Sequence, residues 1–344
     1  MMAAYSSCWW LHDHLELGPA GEVHACCYQY QKDGVTYGGS EFELLRITGN
    51  TFPAIEIAAA RRQVHETIAA AYHPDCSDCS ILTKQIWEPR EYLLRSLTMN
   101  VWTHCNLKCR YCFTTAPGFK YSKVKYPLVA VIGDMLAGRH MNPEGTVTWG
   151  GGDIAALVEF NELSLMFLDY GVHQDFKTSA YKFLPGVAET IAKNKGAVEI
   201  SVDAGTRETY ASYKGADVYE RVVENILRYR ERGPIKLKYI AASCNTSDAD
   251  VAGFLELANR VDPISVMVTP EYGESWSKQY DKKAIRQIAK LMNGLQQSGI
   301  KTVPDQAEDG ARIFPDFWPH LAPQITSLRG PTIRERLVSA FGRA

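Results

Sequence analysis

The sequence predicts an α/β protein: a partial (β/α)6 TIM-like barrel over residues 95–300, a small α+β cysteine-rich appendage over residues 1–90, and a tail over residues 301–344 packing on the barrel. Three observations predict it. From about residue 95 short strand-like runs alternate with helical ones, the pattern of parallel strands joined by crossover helices. Residues 1–90 carry a hairpin signal and a helix but no such repeat. The 344 residues, 46% hydrophobic and 22% charged, suffice for one large domain with an appendage and exclude a disordered or collagen-like chain.

In the appendage, Leu15 and Leu17, a Gly18-Pro19-Ala20-Gly21 turn, then Val23 and Ala25 predict a hairpin, and a helix follows over Pro53–Tyr72. Six strands follow: Ser96–Trp102, Gly145–Trp149, Gln174–Thr178, Ala197–Asp203, Ile235–Ala242 and Ile264–Thr269. Helices over Tyr126–Gly138, Ala155–Tyr170, Leu184–Asn194, Thr206–Arg230, Ser247–Val261 and Asp281–Gln297 separate and close them. In the fourth helix Val218, Val222 and Ile226 recur every four residues beside Val223 and Leu227, the apolar stripe of a helix packed on a sheet. In the fourth strand Val198, Ile200 and Val202 alternate with Glu199, Ser201 and Asp203, so one face is expected under helices and the polar face along a cavity. The tail is rich in Pro, Phe, Trp and Arg, as in Phe314-Pro315-Asp316-Phe317-Trp318-Pro319, and is expected to wrap one mouth of the barrel.

With 37 basic and 39 acidic residues the formal net charge is -2, which advertises neither nucleic acid nor an anionic membrane surface as a partner. No apolar stretch approaches the ~18 residues of a membrane span, and the first residues lack the basic and apolar regions of a signal peptide, so a cytoplasmic protein is expected. Nine cysteines stand at 8, 26, 27, 76, 79, 105, 109, 112 and 244, eight of them in the first third of the chain. In a reducing compartment such cysteines are more often metal ligands or reactive thiols than disulfides.

Cys105, Cys109 and Cys112 form a CxxxCxxC run directly after the first barrel strand. Three thiolates there can hold three irons of a cubane and leave the fourth iron open, which is what a catalytic metal needs. A structural zinc site is the alternative, and it would require a fourth ligand such as His104. Upstream, Cys8, then Gly21, Cys26, and after a long gap Cys76 and Cys79, offer four thiolates that can close a complete cluster or a zinc site. Adjacent strand residues point to opposite faces, so only one of Cys26 and Cys27 reaches that site readily. Cys244 stands just beyond the fifth strand, where a barrel side chain meets substrate, although a lone cysteine is also commonly a small buried hydrophobe.

The CxxxCxxC run, with the aromatic Tyr111 before its last cysteine, resembles the signature of the radical S-adenosylmethionine (radical SAM) enzymes, over about residues 95–300. The resemblance implies that Cys105, Cys109 and Cys112 hold a 4Fe-4S cluster whose open iron chelates SAM, and that reductive cleavage of SAM yields a 5′-deoxyadenosyl radical that takes hydrogen from substrate. It also implies an external electron donor such as flavodoxin or ferredoxin. Gly150-Gly151-Gly152-Asp153 resembles the family's GGE segment, which binds the methionine amino group; Asp153 replaces the usual Glu and Ile154 the proline that often follows. Thr178 and Ser179 after the third strand, with Ser201 and Asp203 on the fourth, resemble the polar positions around the SAM carboxylate and ribose, while helix caps or turn residues are the alternative. The C-x12-G-x4-C opening at Cys8, Gly21 and Cys26 is similar to SPASM or twitch extensions, which implies a second, auxiliary 4Fe-4S cluster on Cys8, Cys26, Cys76 and Cys79. Those extensions usually follow the barrel, and here the segment precedes it. Cys244 resembles the cysteine with which several radical SAM epimerases return a hydrogen atom to the opposite face of a substrate radical.

The expected activity is therefore that of an epimerase acting on a sugar or other small metabolite, with Cys244 as hydrogen donor. The alternative is a dehydrogenase or peptide maturase that passes an electron to the auxiliary cluster. A carbohydrate-like small molecule is expected ahead of a peptide. A non-catalytic, metal-stabilised binding module, for RNA for instance, is the remaining alternative, and the balanced charge counts against it.

Overall fold

A computed structural model describes residues 5–26, 29–32, 35–38, 42–70, 73, 76, 78, 79, 81–87, 91–271, 282–304, 321, 324 and 325. Cys27 and the aromatic-rich stretch 314–319 lie outside the described residues. The chain divides into two compact units: residues 1–105, 120–176 and 184–196 in the first, residues 106–119, 177–183 and 197–344 in the second.

The first unit holds strands β1 (Tyr5–Ser7), β2 (His14–Leu17), β3 (Glu22–His24), β4 (Gln29–Lys32), β5 (Val35–Gly38), β6 (Glu43–Arg46), β7 (Thr83–Gln85), β8 (Leu94–Met99), β9 (Met141–Trp149) and β10 (His173–Thr178). Its helices are α1 (Trp9–Asp13), α2 (Ala54–Ala70), α3 (Leu128–Ala137), α4 (Phe160–Tyr170) and α5 (Pro185–Ala192). Strand order runs β10-β9-β8-β2-β3-β6, with β10, β9, β8 and β2 parallel and the β2–β3–β6 edge antiparallel. The expected hairpin is present, and it is no free-standing appendage: Leu15 pairs with Leu97 and Leu17 with Met99. Trp149, fully buried, centres the core against Phe160 and Phe176, at ring distances of 4.8 and 6.3 Å. Its indole N–H reaches the equally buried Gln174 at 3.1 Å, so its one polar atom is satisfied.

The second unit holds β11 (Gly196–Ser201), β12 (Ile235–Ala241), β13 (Ser265–Pro270) and β14 (Thr302–Pro304), and helices α6 (Arg207–Lys214), α7 (Tyr219–Arg232), α8 (Asp248–Val261) and α9 (Lys282–Gln297). These four strands are parallel neighbours. Val198, Ile200 and Val202 are fully buried, as expected of a face under helices, while Glu199 and Ser201 are partly exposed.

All six expected strands are found, with ends shifted by a few residues. Three differences have physical causes. The helix expected over Thr206–Arg230 is broken, because Gly215 takes φ +70° and caps α6 before α7 begins. The helix expected from Ala155 starts at Phe160, after a 3₁₀ turn at Ile154–Ala156 that Asp153 caps. The beginning of the expected tail is β14, a further parallel strand brought beside β13 by the crossover helix α9. The fold is thus α/β with a mostly parallel sheet, as in a partial barrel. No described helix is long and apolar enough to cross a membrane.

Candidate active site

The CxxxCxxC run sits on an irregular stretch between β8 and α3, with one 3₁₀ turn at Phe113–Thr115. In the first unit this stretch is pinned where it leaves and returns: Thr103 N–H donates to Ser122 O (3.0 Å), and Ser122 N–H to the Thr103 hydroxyl (2.7 Å). In the second unit Cys112 N–H donates to Cys109 O at 3.1 Å, and the Thr115 hydroxyl donates to both of those residues' carbonyls, at 3.0 and 2.7 Å. The Thr114 hydroxyl lies 3.1 Å from Cys112 Sγ. Cys105, Cys109 and Cys112 are not in disulfides and are partly exposed.

Helix α6 holds the same loop. The last carbonyls of a helix lack partners within it, and here Tyr213 O accepts from Arg110 N–H (2.9 Å) and Lys214 O from Lys108 N–H (3.0 Å). A side chain at Gly215 would put its Cβ 2.6 Å from Lys108 O, so glycine permits this approach. Between the two ligand candidates, Tyr111 donates its hydroxyl proton to Asp203 Oδ2 at 2.6 Å and accepts from Lys214 Nζ at 3.0 Å, and Lys214 also pairs with Asp203. Asp203 is fully buried at φ +60°, and its other carboxylate oxygen accepts from Ile240 N–H at 2.7 Å. Burial pushes the Cys109 thiol up, while the Lys214 cation opposes that push.

The glycine segment belongs to the first unit. Gly150 N–H donates to Met99 O, Gly152 N–H to Trp102 O and Asp153 N–H to His104 O, at 3.0–3.1 Å. A Cβ on Gly151 would stand 2.2 Å from Trp102 O, and one on Gly152 2.0 Å from His104 O. The glycines therefore admit the backbone that leads into the cysteine run. Asp153 is buried, its Oδ1 accepting from Ala155 N–H at 2.9 Å and its carbonyl from the Trp102 indole at 2.9 Å.

Thr178 and Ser179 are buried, and their hydroxyls accept from the amides two residues on, at 3.1 and 3.3 Å. Between those amides Ala180 takes φ +56°, its carbonyl held by Asn225 Nδ2 at 2.9 Å. Ser201, partly exposed, ends β11. Cys244 is exposed in a 3₁₀ turn directly after β12. The next residue, Asn245, is fully buried and locks that turn, donating to Asp203 O and Ile240 O and accepting from Ala242 N–H. Lys214 and Asn245 are the two residues that the sequence reading passed over. A lysine before a glycine at a helix end, and an asparagine beside the Cys244 position, were the signals available.

The N-terminal cysteines come from three chain segments of the first unit. Cys8 caps α1, its sulfur accepting from Leu11 N–H at 3.4 Å. Cys26 follows β3, and Cys76 and Cys79 share one turn after α2, with Cys79 N–H on Cys76 O at 2.9 Å. Cys8, Cys26 and Cys76 meet in one apolar cluster with Leu11, Ala25, Phe42 and Val64. Burial pushes the Cys8 thiol up, and the neighbouring Cys79 adds to the push. Among the described residues no three Cys, His, Asp or Glu side chains crowd together as ligands of a single ion would. A cubane takes its ligands at separate corners, and thiols outside any disulfide suit that donor set.

Residues 99–258 match the family model of the Radical SAM superfamily, and this stretch is a radical SAM domain. Its family implies a 4Fe-4S cluster and SAM. No curated protein sequence matches the chain. SuiB of Streptococcus suis is similar in fold at 14% identity, over 81% of this chain and 59% of that one, with a TM-score of 0.51. SuiB bound to its precursor peptide SuiA aligns over 93% of this chain and 75% of that one, at 13% identity and a TM-score of 0.50. The structure of anSMEcpe with bound AdoMet aligns over 62% of this chain at 16% identity and a TM-score of 0.48. The chain spans 57% and 64% of the length of SuiB bound to SAM and of anSMEcpe.

Proposed function

We propose that the protein is a radical SAM enzyme whose cysteine loop, Cys105, Cys109 and Cys112, holds a 4Fe-4S cluster with one iron open to SAM. The observation that carries this reading is the loop itself: three thiols outside any disulfide between β8 and α3, with α6 and the Tyr111–Asp203–Lys214 cluster holding the stretch around Cys109 and Cys112. When bound, the cluster supplies the electron that cleaves SAM reductively. The chain's own groups order the site. Gly151, Gly152 and Asp153 offer backbone and carboxylate to the methionine amino group, and Thr178, Ser179 and Ser201 offer hydroxyls to the carboxylate and ribose. Asp203, saturated by internal partners, acts on the loop through Tyr111 and Lys214. The electron comes from an external flavodoxin or ferredoxin, and thiolate ligands fit a reducing, cytoplasmic setting.

Within this reading the reaction is an epimerisation of a carbohydrate-like small metabolite or of a peptide residue. The exposed Cys244 gives its thiol hydrogen atom to the substrate radical on the face opposite abstraction, forming a new C–H bond. The sulfur radical left behind takes a hydrogen atom from an external thiol, whose own thiyl radical pairs with a second one to end as a disulfide. The second reading is a net two-electron oxidation or crosslink, and it is favoured by the convergence of Cys8, Cys26, Cys76 and Cys79, which would hold a twitch- or SPASM-like auxiliary 4Fe-4S cluster as electron acceptor.

The test is anaerobic incubation of the reconstituted chain with SAM and dithionite. 5′-Deoxyadenosine is expected, and its formation is abolished when Cys105, Cys109 and Cys112 are all changed to Ala; none from the unsubstituted protein overturns the reading. With substrate in deuterated water, Cys244→Ala should abolish solvent deuterium uptake into product. Unchanged uptake removes the epimerase form and leaves the oxidative one.

A further inference from the structure

We propose that Lys214 is a positioning residue that presets the cysteine loop before any cluster enters it, acting through Tyr111. The inference deepens the proposed function and rests on its assignment of Cys109 and Cys112 as ligands. Lys214 is 1% exposed, and burying an ammonium is costly unless it is paired and hydrogen-bonded. The pairing found here serves the loop. The ammonium meets Asp203 and the Tyr111 hydroxyl, while the Lys214 backbone carbonyl takes the Lys108 amide. One residue thus holds the stretch 108–112 at two points, by main chain on one side of Cys109 and by side chain on the other.

The rest of the cluster fixes Lys214 in turn. Asp203 is anchored by Ile240 N–H and carries both Tyr111 and Lys214 on its other oxygen. The Tyr111 ring lies 5.1 Å from that of Tyr213, the residue whose carbonyl takes Arg110 N–H, and the ammonium stands 5.4 Å from the centre of the same Tyr111 ring. The Asp203 carboxylate, the Tyr111 hydroxyl and the Lys214 ammonium thus all have partners, drawn from the loop, α6, β12 and the exit of β11. Rigid support around a binding constellation is what holds ligand positions to working tolerance.

The experiment has one readout on the apoprotein and one on the loaded protein. Iodoacetamide labelling of the full apo chain, followed by mass spectrometry, gives the alkylation rates of Cys109 and Cys112, with the exposed Cys244 as internal reference. Tyr111→Phe keeps the ring and the buried ion pair and removes only the hydroxyl tie. Lys214→Met combined with Asp203→Asn removes both charges together, so that no lone charge is left in the core. Both variants should alkylate severalfold faster at Cys109 and Cys112, with Cys244 and the unfolding midpoint unchanged. Lys214→Arg, which keeps the cation, should restore most of the protection. After reconstitution, both loosened variants should also lose iron to a chelator severalfold faster. Equal alkylation rates in all four proteins overturn the proposal. If the unsubstituted chain takes up no cluster, the functional reading falls, and the alkylation rates alone decide the positioning role.

Discussion

Gly152 shows how one glycine can answer to a close approach within the chain itself. A glycine run after a strand says that something approaches the backbone closely, and the family resemblance supplied a ligand as that something. The structure adds an approach from within the chain, His104 O, 2.0 Å from where a Cβ would stand. That contact is with backbone, which has little room to yield. Gly152→Ala should therefore destabilise the apo chain by about 3 kcal/mol, the upper part of the range for overpacking, as measured by urea unfolding. A loss below about 1 kcal/mol would show that the two backbones separate freely. The same limit explains Asp203, whose polar strand position was visible in the sequence. Its three internal partners lie at residues 111, 214 and 240, and no local pattern announces contacts at that separation.

At the scale of elements, periodicity and turn chemistry found the six parallel strands, the hairpin and most of the helices, because these are set by residues near one another in the chain. Long-range pairing was not legible. Nothing local in His14-Leu15-Glu16-Leu17 says that it lies parallel to β8, and the staple that holds it there is equally remote. Arg61 of α2, fully buried, donates to His14 O on β2 and, at 2.8 Å, to Leu93 O just before β8. His14 itself is buried, with Nδ1 3.0 Å from the Ser96 hydroxyl on β8 and Nε2 without a hydrogen bond. Burial, with the Arg61 cation adding to it, depresses its pKa from the usual 6.5 to about 3. A histidine kept neutral in the folded state binds fewer protons than in the unfolded chain over that interval. Its stabilising contribution is thus complete above pH 6.5 and is lost progressively as the pH falls toward 3. Stability should fall by up to about 1.4 kcal/mol per pH unit on this account. Urea titrations between pH 7 and 4.5 should show a shallower decline for His14→Gln than for the unsubstituted chain. Parallel curves for the two proteins would mean that His14 is protonated in the fold.

For the whole molecule the question is how many clusters one chain carries. The two groups of cysteines are built differently. Cys105, Cys109 and Cys112 lie within eight residues on one loop, so sequence spacing alone keeps the three thiols near one another. Cys8, Cys26, Cys76 and Cys79 need three segments of the chain to be folded together first, and Cys8, Cys26 and Cys76 share one apolar cluster, with a helix amide on the Cys8 sulfur. A three-thiolate site leaves one iron open for chemistry, whereas a four-thiolate site is closed and suited to electron transfer or to stability. Iron and sulfide per chain after anaerobic reconstitution distinguish the cases. About eight irons in the unsubstituted protein, falling to about four when Cys105, Cys109 and Cys112 are all Ala, is the expected outcome for two 4Fe-4S clusters. Four irons falling to none would make the N-terminal cysteines a zinc or purely structural group. The oxidative reading would then lose its electron acceptor, which leaves the proposal that Cys244 returns a hydrogen atom to the substrate radical.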